Sequence, residues 1–335
     1  MSKTKKRIWL ALLFLLGILV GAVGAAWYDI SQHEATTREG WLYITDDQLS
    51  DPGLIEERPI GLALRLMKFD KLLKDGRLDG AYHIKPGMTA LEVARKLTRR
   101  MQDPVKLTFN NIRLKEQWAG RVAEQLRCDS TEVLEAMLDP TFLAEAGVDE
   151  RNVTSLLLPD TYEVYWTVKP ADLMQRMLKE YRRFWNESRL AKAESLDLTP
   201  QEVTTLCSIA EEETLDREER GVVAMLYWNR LQLMMPLQAD PTVKYALGDF
   251  GLKRILNAHL EVDSPYNTYK TQGLPPGPIR LVDKTTIDAL LNAKTHPYLY
   301  MCAKPDFSGR HNFATTYGEH LRNAQAYHAA LNRLK

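Results

Sequence analysis

Neither sign of charge is in excess: 44 Lys and Arg face 44 Asp and Glu, for a formal net charge of zero. A nucleic-acid-binding surface ordinarily carries a basic surplus, and beyond the N-terminus no Lys/Arg block supplies one locally. Nucleic acid is therefore not expected as a partner. Cysteine is scarce: Cys128, Cys207 and Cys302 are odd in number and widely spaced, with neither a zinc nor a redox pattern. The seven histidines are scattered without metal-ligand spacing, so neither a metal site nor a cofactor is expected. The segment Gln272-Gly-Leu-Pro-Pro-Gly-Pro278 lacks the Gly-Lys-Ser/Thr ending of a phosphate loop, and its prolines remove backbone donors that such a loop needs.

Charge is missing altogether from residues 8–27, an apolar run of 20 residues. That length crosses a hydrocarbon core of about 30 Å. Lys3, Lys5, Lys6 and Arg7 precede the run while Asp29 and Glu34 follow it, which predicts a cytoplasmic N-terminus and an extracytoplasmic remainder at the inner membrane. A cleaved signal peptide is the competing reading, with Ala22-Val-Gly-Ala25 as cleavage site, but the run exceeds a typical signal core. The rest, with 45% hydrophobic and 26% charged residues overall, is ordinary globular composition.

What stands out is three consecutive glutamates inside a helix signature. Thr199 as N-cap, Pro200 at the first helical position and Glu202 as box partner open a helix near residue 200. Its apolar positions, Val203, Leu206, Cys207, Ile209 and Ala210, define one face. On that wheel Glu213 lies roughly 50° from the centre, Glu211 roughly 110° and Glu212 roughly 150°. Glu213 is thus expected to be the partly buried one, with a raised pKa suited to a general acid. Glu211 remains the alternative. A solvated helix end is the plain reading of such a run. Asp216 is expected to cap a second helix with Glu219 as box partner, Asp240 to cap a third with Pro241 at its first position, and Gly248 to end that third helix.

Five ordered blocks carry a resemblance: Ser208-Ile-Ala-Glu-Glu-Glu-Thr214, Asn229-Arg-Leu231, Leu237-Gln-Ala-Asp-Pro-Thr-Val243, Tyr266-Asn-Thr-Tyr269 and Gly273-Leu-Pro-Pro-Gly-Pro-Ile279. Leu158-Pro-Asp-Thr-Tyr162, Pro297-Tyr-Leu-Tyr300 and His311-Asn-Phe313 extend it over most of the chain. The sequence resembles the endolytic murein transglycosylases of the YceG-like class. The resemblance puts the family's catalytic glutamate on Glu213. It implies cleavage of the β-1,4 bond after N-acetylmuramic acid in nascent peptidoglycan strands, leaving 1,6-anhydro ends, next to membrane-bound peptidoglycan synthases. Two departures are visible. Glu212 stands where the family usually has Lys, and Arg280-Leu-Val282 replaces a stretch of small residues. The glutamate would push Glu213 further up if it reached the site.

The remaining segments supply a frame for this helix. Gly80-Ala-Tyr-His-Ile-Lys-Pro-Gly87 reads as a strand and Pro-Gly turn, followed by a helix with Thr89 as cap and Glu92 as box partner; it looks like a LysM-type fragment, with a generic strand-turn-helix scaffold that contacts no glycan as the alternative. A strand at Val105–Phe109, a helix from about Pro170 to Glu187, a helix from about Asp283 to Ala293, strands at 298–303 and 310–313 and a final helix complete the reading. The expected fold class is α+β: a cytoplasmic tail (1–7), a transmembrane helix (8–27), a small LysM-like subdomain (28–104), a second α/β subdomain (105–155) and a mixed helical and β catalytic domain (156–335). Gln238, Asp240, Thr242, Tyr266, Asn267, Thr268 and Tyr269 are the candidates for holding sugar hydroxyls and N-acetyl groups. Tyr162, with Tyr165 and Trp166, is an aromatic candidate for stacking on a sugar or for core. Asn229 and Arg230 are expected to brace the helical hairpin. A lysozyme-like hydrolase would need Asp240 or Asp263 as second carboxylate; a non-catalytic glycan-binding scaffold would need neither.

Overall fold

The computed structural model describes residues 2–46, 48–55 and 58–333. The chain forms two compact units, one of residues up to Leu107 together with Tyr162–Val168, the other of Thr108–Thr161 and everything from Lys169.

The N-terminal unit starts with α1 (Lys3–Gln32), which is long and apolar enough to cross a membrane, with its apolar stretch outside any core. Only at Ile30 does α1 bury a side chain. The strand β1 (Gly40–Thr45) pairs antiparallel with β2 (Gln48–Leu49) on one side and β3 (Gly80–Ile84) on the other. Period-two alternation sends Leu42 and Ile44 inward and leaves Trp41, Tyr43 and Thr45 half-buried on the opposite face. The helices α2 (Arg58–Leu66), α3 (Phe69–Lys74) and α4 (Ala90–Thr98) close the core over Leu42, Ile44 and Ile84. The expected capping box is present: the Glu92 N–H donates to Thr89 Oγ1, and the Thr89 N–H to Glu92 Oε2.

Two paired strands, β4 (Pro104–Phe109) and β5 (Asp160–Tyr165), carry the chain between the units. Tyr162 and Val164 are buried on β5.

The C-terminal unit is mostly helical: α5 (Lys115–Ala123), α6 (Ser130–Met137), α7 (Pro140–Ala146), α8 (Pro170–Phe184), α9 (Glu187–Ser195), α10 (Pro200–Glu213), α11 (Arg217–Gln232), α12 (Asp240–Leu247) and α13 (Lys284–Leu291). A hairpin of β6 (Tyr300–Ala303) and β7 (His311–Ala314) and the helix α14 (Tyr317–Arg333) follow, and the last two residues lie outside the described chain. The helix expected over 170–187 ends at Phe184, and a further helix, α9, follows because Asn186 accepts from the Arg189 N–H as its cap.

At the centre lies α10. Nine consecutive residues, Val203 to Glu211, are buried, so this helix has no solvent face over that length. Its hydroxyls are satisfied locally: Thr204 and Thr205 donate to the carbonyls of Pro200 and Gln201 at 2.8 Å, and Ser208 donates to Thr205 O. Ser208 Oγ also accepts the Ile279 N–H at 3.0 Å, tying the proline-rich loop onto α10. The loop approaches other backbone so closely that a Cβ on Gly277 would sit 2.1 Å from Arg151 O.

Candidate active site

The three glutamates end α10, and each meets a different environment. Glu211 is 1% exposed, the most buried of the three, contrary to the wheel, because α13 and the preceding loop cover the side a one-faced helix would leave open. It accepts from Thr286 Oγ1 and from the Asp283 N–H, and it pairs with Arg220 at 3.2 Å and with Arg280 Nε at 3.2 Å. Burial raises its pKa against these partners. Glu212 is held by Arg113, whose Nε and Nη2 reach its two oxygens at 3.0 and 2.9 Å, and by Arg280 Nη1 at 3.1 Å. The two departures read from the sequence, Glu212 and Arg280, are thus partners of each other.

Glu213 is the last residue of α10 and opens into a cleft of about 350 Å³. Tyr227, on α11, donates its hydroxyl to Glu213 Oε1 at 2.7 Å. Burial pushes Glu213 up to about 7; the Tyr227 hydrogen bond and Lys244 oppose the shift, while the charges of Asp240 and Glu212 add to it. The end position works the same way, since the C-terminus of a helix carries partial negative charge. Burial, and then the charge of Glu213, push Tyr227 well above the usual phenol range, so it remains a donor.

One wall of the cleft is polar. Asp240 is exposed at the start of α12 and accepts the Tyr269 hydroxyl at 2.6 Å. The helix begins one position earlier than expected, with Ala239 at the cap, which frees the Asp240 carboxylate for Tyr269. Gln238, held at φ +50, donates its N–H to Thr268 O at 3.1 Å and accepts Arg230 Nη2 at 3.2 Å. Glu213, Gln238, Asp240 and Tyr269 therefore line one cleft, as the sequence grouped them.

Other expected contacts are corrected. Thr242, Asn267 and Thr268 are wholly buried, with their polar groups used inside the protein. Thr268 Oγ1 accepts the Ala239 N–H at 3.0 Å and meets the Thr242 hydroxyl at 2.9 Å; Asn267 Nδ2 donates to Leu260 O and Val262 O at 2.8 Å each. They fix the backbone that carries Gln238 and Asp240 and do not present groups to a ligand. Tyr266 packs against Tyr245 at 4.7 Å, donates to Arg151 O and is not among the lining residues. Tyr162 is 6% exposed in the N-terminal unit and offers no open ring face. Glu219 is not a box partner of Asp216: the cap bonds the Glu218 N–H, and Glu219 instead accepts the His311 N–H at 2.9 Å and ties β7 to α11. Asn229 does not brace the hairpin but ties α11 to the segment before β6, donating to the carbonyls of His296 and Tyr298 at 2.7 and 3.0 Å. Arg230 donates to Leu237 O and Gln238 and lines the cleft.

Sequence reasoning missed Tyr227, Tyr300, Tyr317 and His320 on the cleft wall. Tyr227 had a signal, a tyrosine inside the apolar stripe of the hairpin's return helix, where a buried phenol needs a partner. The other three belong to the C-terminal hairpin and helix, whose placement rests on contacts distant in sequence. A larger concavity of about 1100 Å³, between α1 and α2, runs along the apolar helix.

A family model described as YceG-like family matches residues 44–326. An endolytic murein transglycosylase of Bacillus subtilis is 29% identical over 269 residues, covering 76% of this chain and 74% of that protein. A protein of the same name from Streptococcus pneumoniae is 29% identical over 286 residues, and this chain spans about half of its length (51%). Among solved structures, a putative YceG-like protein of Listeria monocytogenes is 27% identical with a TM-score of 0.58, covering 86% of this chain and 99% of the other. With the match running from the first sheet to the last helix, the chain belongs to the YceG-like family.

Proposed function

We propose that the protein is a membrane-anchored lytic transglycosylase that cleaves peptidoglycan strands endolytically, with Glu213 as the single acid and base. The observation that carries the reading is one carboxyl group, raised to about 7 and hydrogen-bonded by Tyr227, at the end of a buried helix in an open cleft. The names of the relatives supply the substrate class.

The chemistry follows from that group. Tyr227 donates to Oε1, so the neutral acid keeps its proton on Oε2. Glu213 gives this proton to the bridging oxygen as the bond from C1 of the muramic acid to that oxygen breaks, and the developing positive charge on C1 faces the new carboxylate. The carboxylate then takes the proton of the 6-hydroxyl as its oxygen closes onto C1, leaving a 1,6-anhydro end. Glu213 is protonated again and no water is consumed. Asp240 is engaged by Tyr269 and acts on substrate orientation. Tyr269 is pushed far up by burial and then by this bond, so it stays a donor. The apolar α1 crosses the membrane with its N-terminus in the cytoplasm and holds the catalytic unit on the outer side, next to the membrane-bound synthases that extend nascent strands.

Purified full-length protein in detergent, incubated with peptidoglycan, tests the reading by mass spectrometry of the released muropeptides. Anhydro ends are expected from the wild type. Glu213→Gln should lower their rate by at least about a hundredfold, whereas Asp240→Asn should retain the anhydro product. Reducing ends that vanish in Asp240→Asn would instead identify a two-carboxylate hydrolase; no product from folded protein, on denuded and nascent strands alike, would leave a scaffold.

A further inference from the structure

Facing the polar wall of the Glu213 cleft is a group of three rings with no part in the proton transfers. Tyr300, on β6, stacks on His320 with centroids 5.5 Å apart and planes 26° from parallel. Tyr317, at the start of α14, lies 5.8 Å from Tyr300 and 6.1 Å from His320. All three line the cleft.

The group does not read as core. Tyr317 is 59% exposed, and α14 buries none of its residues, so this ring is not required to hold the helix in place. Arg230 links the two walls, because its guanidinium carbon stands 5.8 Å from the Tyr300 centroid while Nη2 reaches Gln238. Burial, followed by the charge of Arg230, shifts His320 below the usual histidine range, which favours its uncharged form.

A pyranose has the complementary shape, with C–H groups on its faces and hydroxyl or acetamido groups around its rim. A slot with rings on one side and Gln238, Asp240 and the Tyr269 hydroxyl on the other meets both at once. We infer that Tyr300, Tyr317 and His320 form a stacking wall for one sugar of a β-1,4-linked N-acetylhexosamine strand, and that Tyr317 is its principal contact. The inference rests on the glycan-cleaving reading of the cleft and adds the side of the sugar that the proton chemistry leaves unrecognised.

The test separates binding from chemistry. The full chain carrying Glu213→Gln, in detergent, is titrated calorimetrically with the β-1,4-linked hexasaccharide of N-acetylglucosamine, and Tyr317 is changed in that background to Ala, Phe or Trp. Ala should weaken binding roughly tenfold, while Phe and Trp, which keep a ring, should stay near the parent. In the active background Tyr317→Ala should raise the KM for peptidoglycan strands by a similar factor, with the change falling on KM and not on kcat. Equal binding by Ala and parent, a Phe variant as weak as Ala, or no binding of the hexasaccharide by the parent would each overturn the wall. If the Ala variant loses hexasaccharide binding but the wild type yields no anhydro ends, the wall stands and the transglycosylase reading fails. Anhydro ends with an unchanged KM in Tyr317→Ala would remove the wall alone.

Discussion

Three adjacent carboxylates on one helix end show how position overrides composition. Glu211 and Glu212 are ion-paired, and Glu213 has a phenol as its hydrogen-bond donor. A carboxyl whose folded pKa lies at about 7, against 4.5 for the ordinary group, binds its proton more tightly in the folded chain. Its contribution to stability is therefore fully present below pH 4.5 and is lost as the pH rises to about 7. The loss corresponds to about 3 kcal/mol at most. Glu213→Gln keeps a neutral side chain at every pH. Its urea midpoint should match the wild type near pH 4 and pull ahead progressively up to about pH 7, the gap then remaining constant; a gap that does not change with pH would mean that the burial is not felt by the charge. The residue scale is also where sequence reading succeeded for one reason and failed for another. The helix that carries Glu213 was legible because its start is chemically punctuated by Thr199, Pro200 and Glu202. The burial of Glu211 was not, because a helical wheel presumes one apolar face and α10 is enclosed over nine residues. The polar candidates Thr242, Asn267 and Thr268 look alike in sequence whether they face a sugar or each other, and only tertiary pairing decides.

At the level of elements, the cleft exists because α11 returns along α10 and α13 packs across α11. That crossing is close. A Cβ on Gly221 would lie 2.8 Å from Ala289 O and 3.2 Å from the Ala289 Cβ, backbone and side chain of α13. In an exposed helix interior, replacing Gly by Ala gains about 1 kcal/mol from propensity. Here the added methyl must displace a helix backbone, and overpacking of this kind costs about 1–3 kcal/mol. Gly221→Ala should thus lower the thermal midpoint where propensity alone predicts a rise, and the separation of α11 from α13 should shift Tyr227 with it, so that activity falls more than stability. An unchanged or higher midpoint would show that α13 yields freely. Element existence was largely readable: the caps at Thr89 and Thr199, the Gly248 terminator and the C-terminal hairpin all follow from local chemistry. The end of α8 was readable, but α9 after it was not anticipated and needed more weight on Asn186 as a cap.

On the scale of the whole molecule, the pairing of β4 with β5, remote in sequence, is what returns Tyr162–Val168 to the N-terminal unit, and no local pattern announces it. The N-terminal apolar helix is more legible, and the structure adds a mechanical detail. The helix α1 runs without interruption from Lys3 to Gln32, past the charge-free residues 8–27, and buries Ile30 in the core formed with Leu42, Ile60 and Val93. Only two residues, Tyr28 and Asp29, lie between the end of the apolar run and that buried side chain. No flexible linker intervenes, so the apolar stretch, long enough to cross a membrane, and the turn that enters the core belong to one continuous helix. Two identical substitutions on this one helix should then behave differently. Ile30→Ala removes a side chain that is 1% exposed and should cost about 2–4 kcal/mol, whereas Ile18→Ala, at a position 54% exposed in the apolar stretch, should leave the fold of the unit unchanged. Urea titration in detergent, followed through tryptophan fluorescence of Trp41 and Trp166, measures both. Equal midpoints for the two variants would mean that α1 ends its structural role before Ile30 and that the unit folds without it.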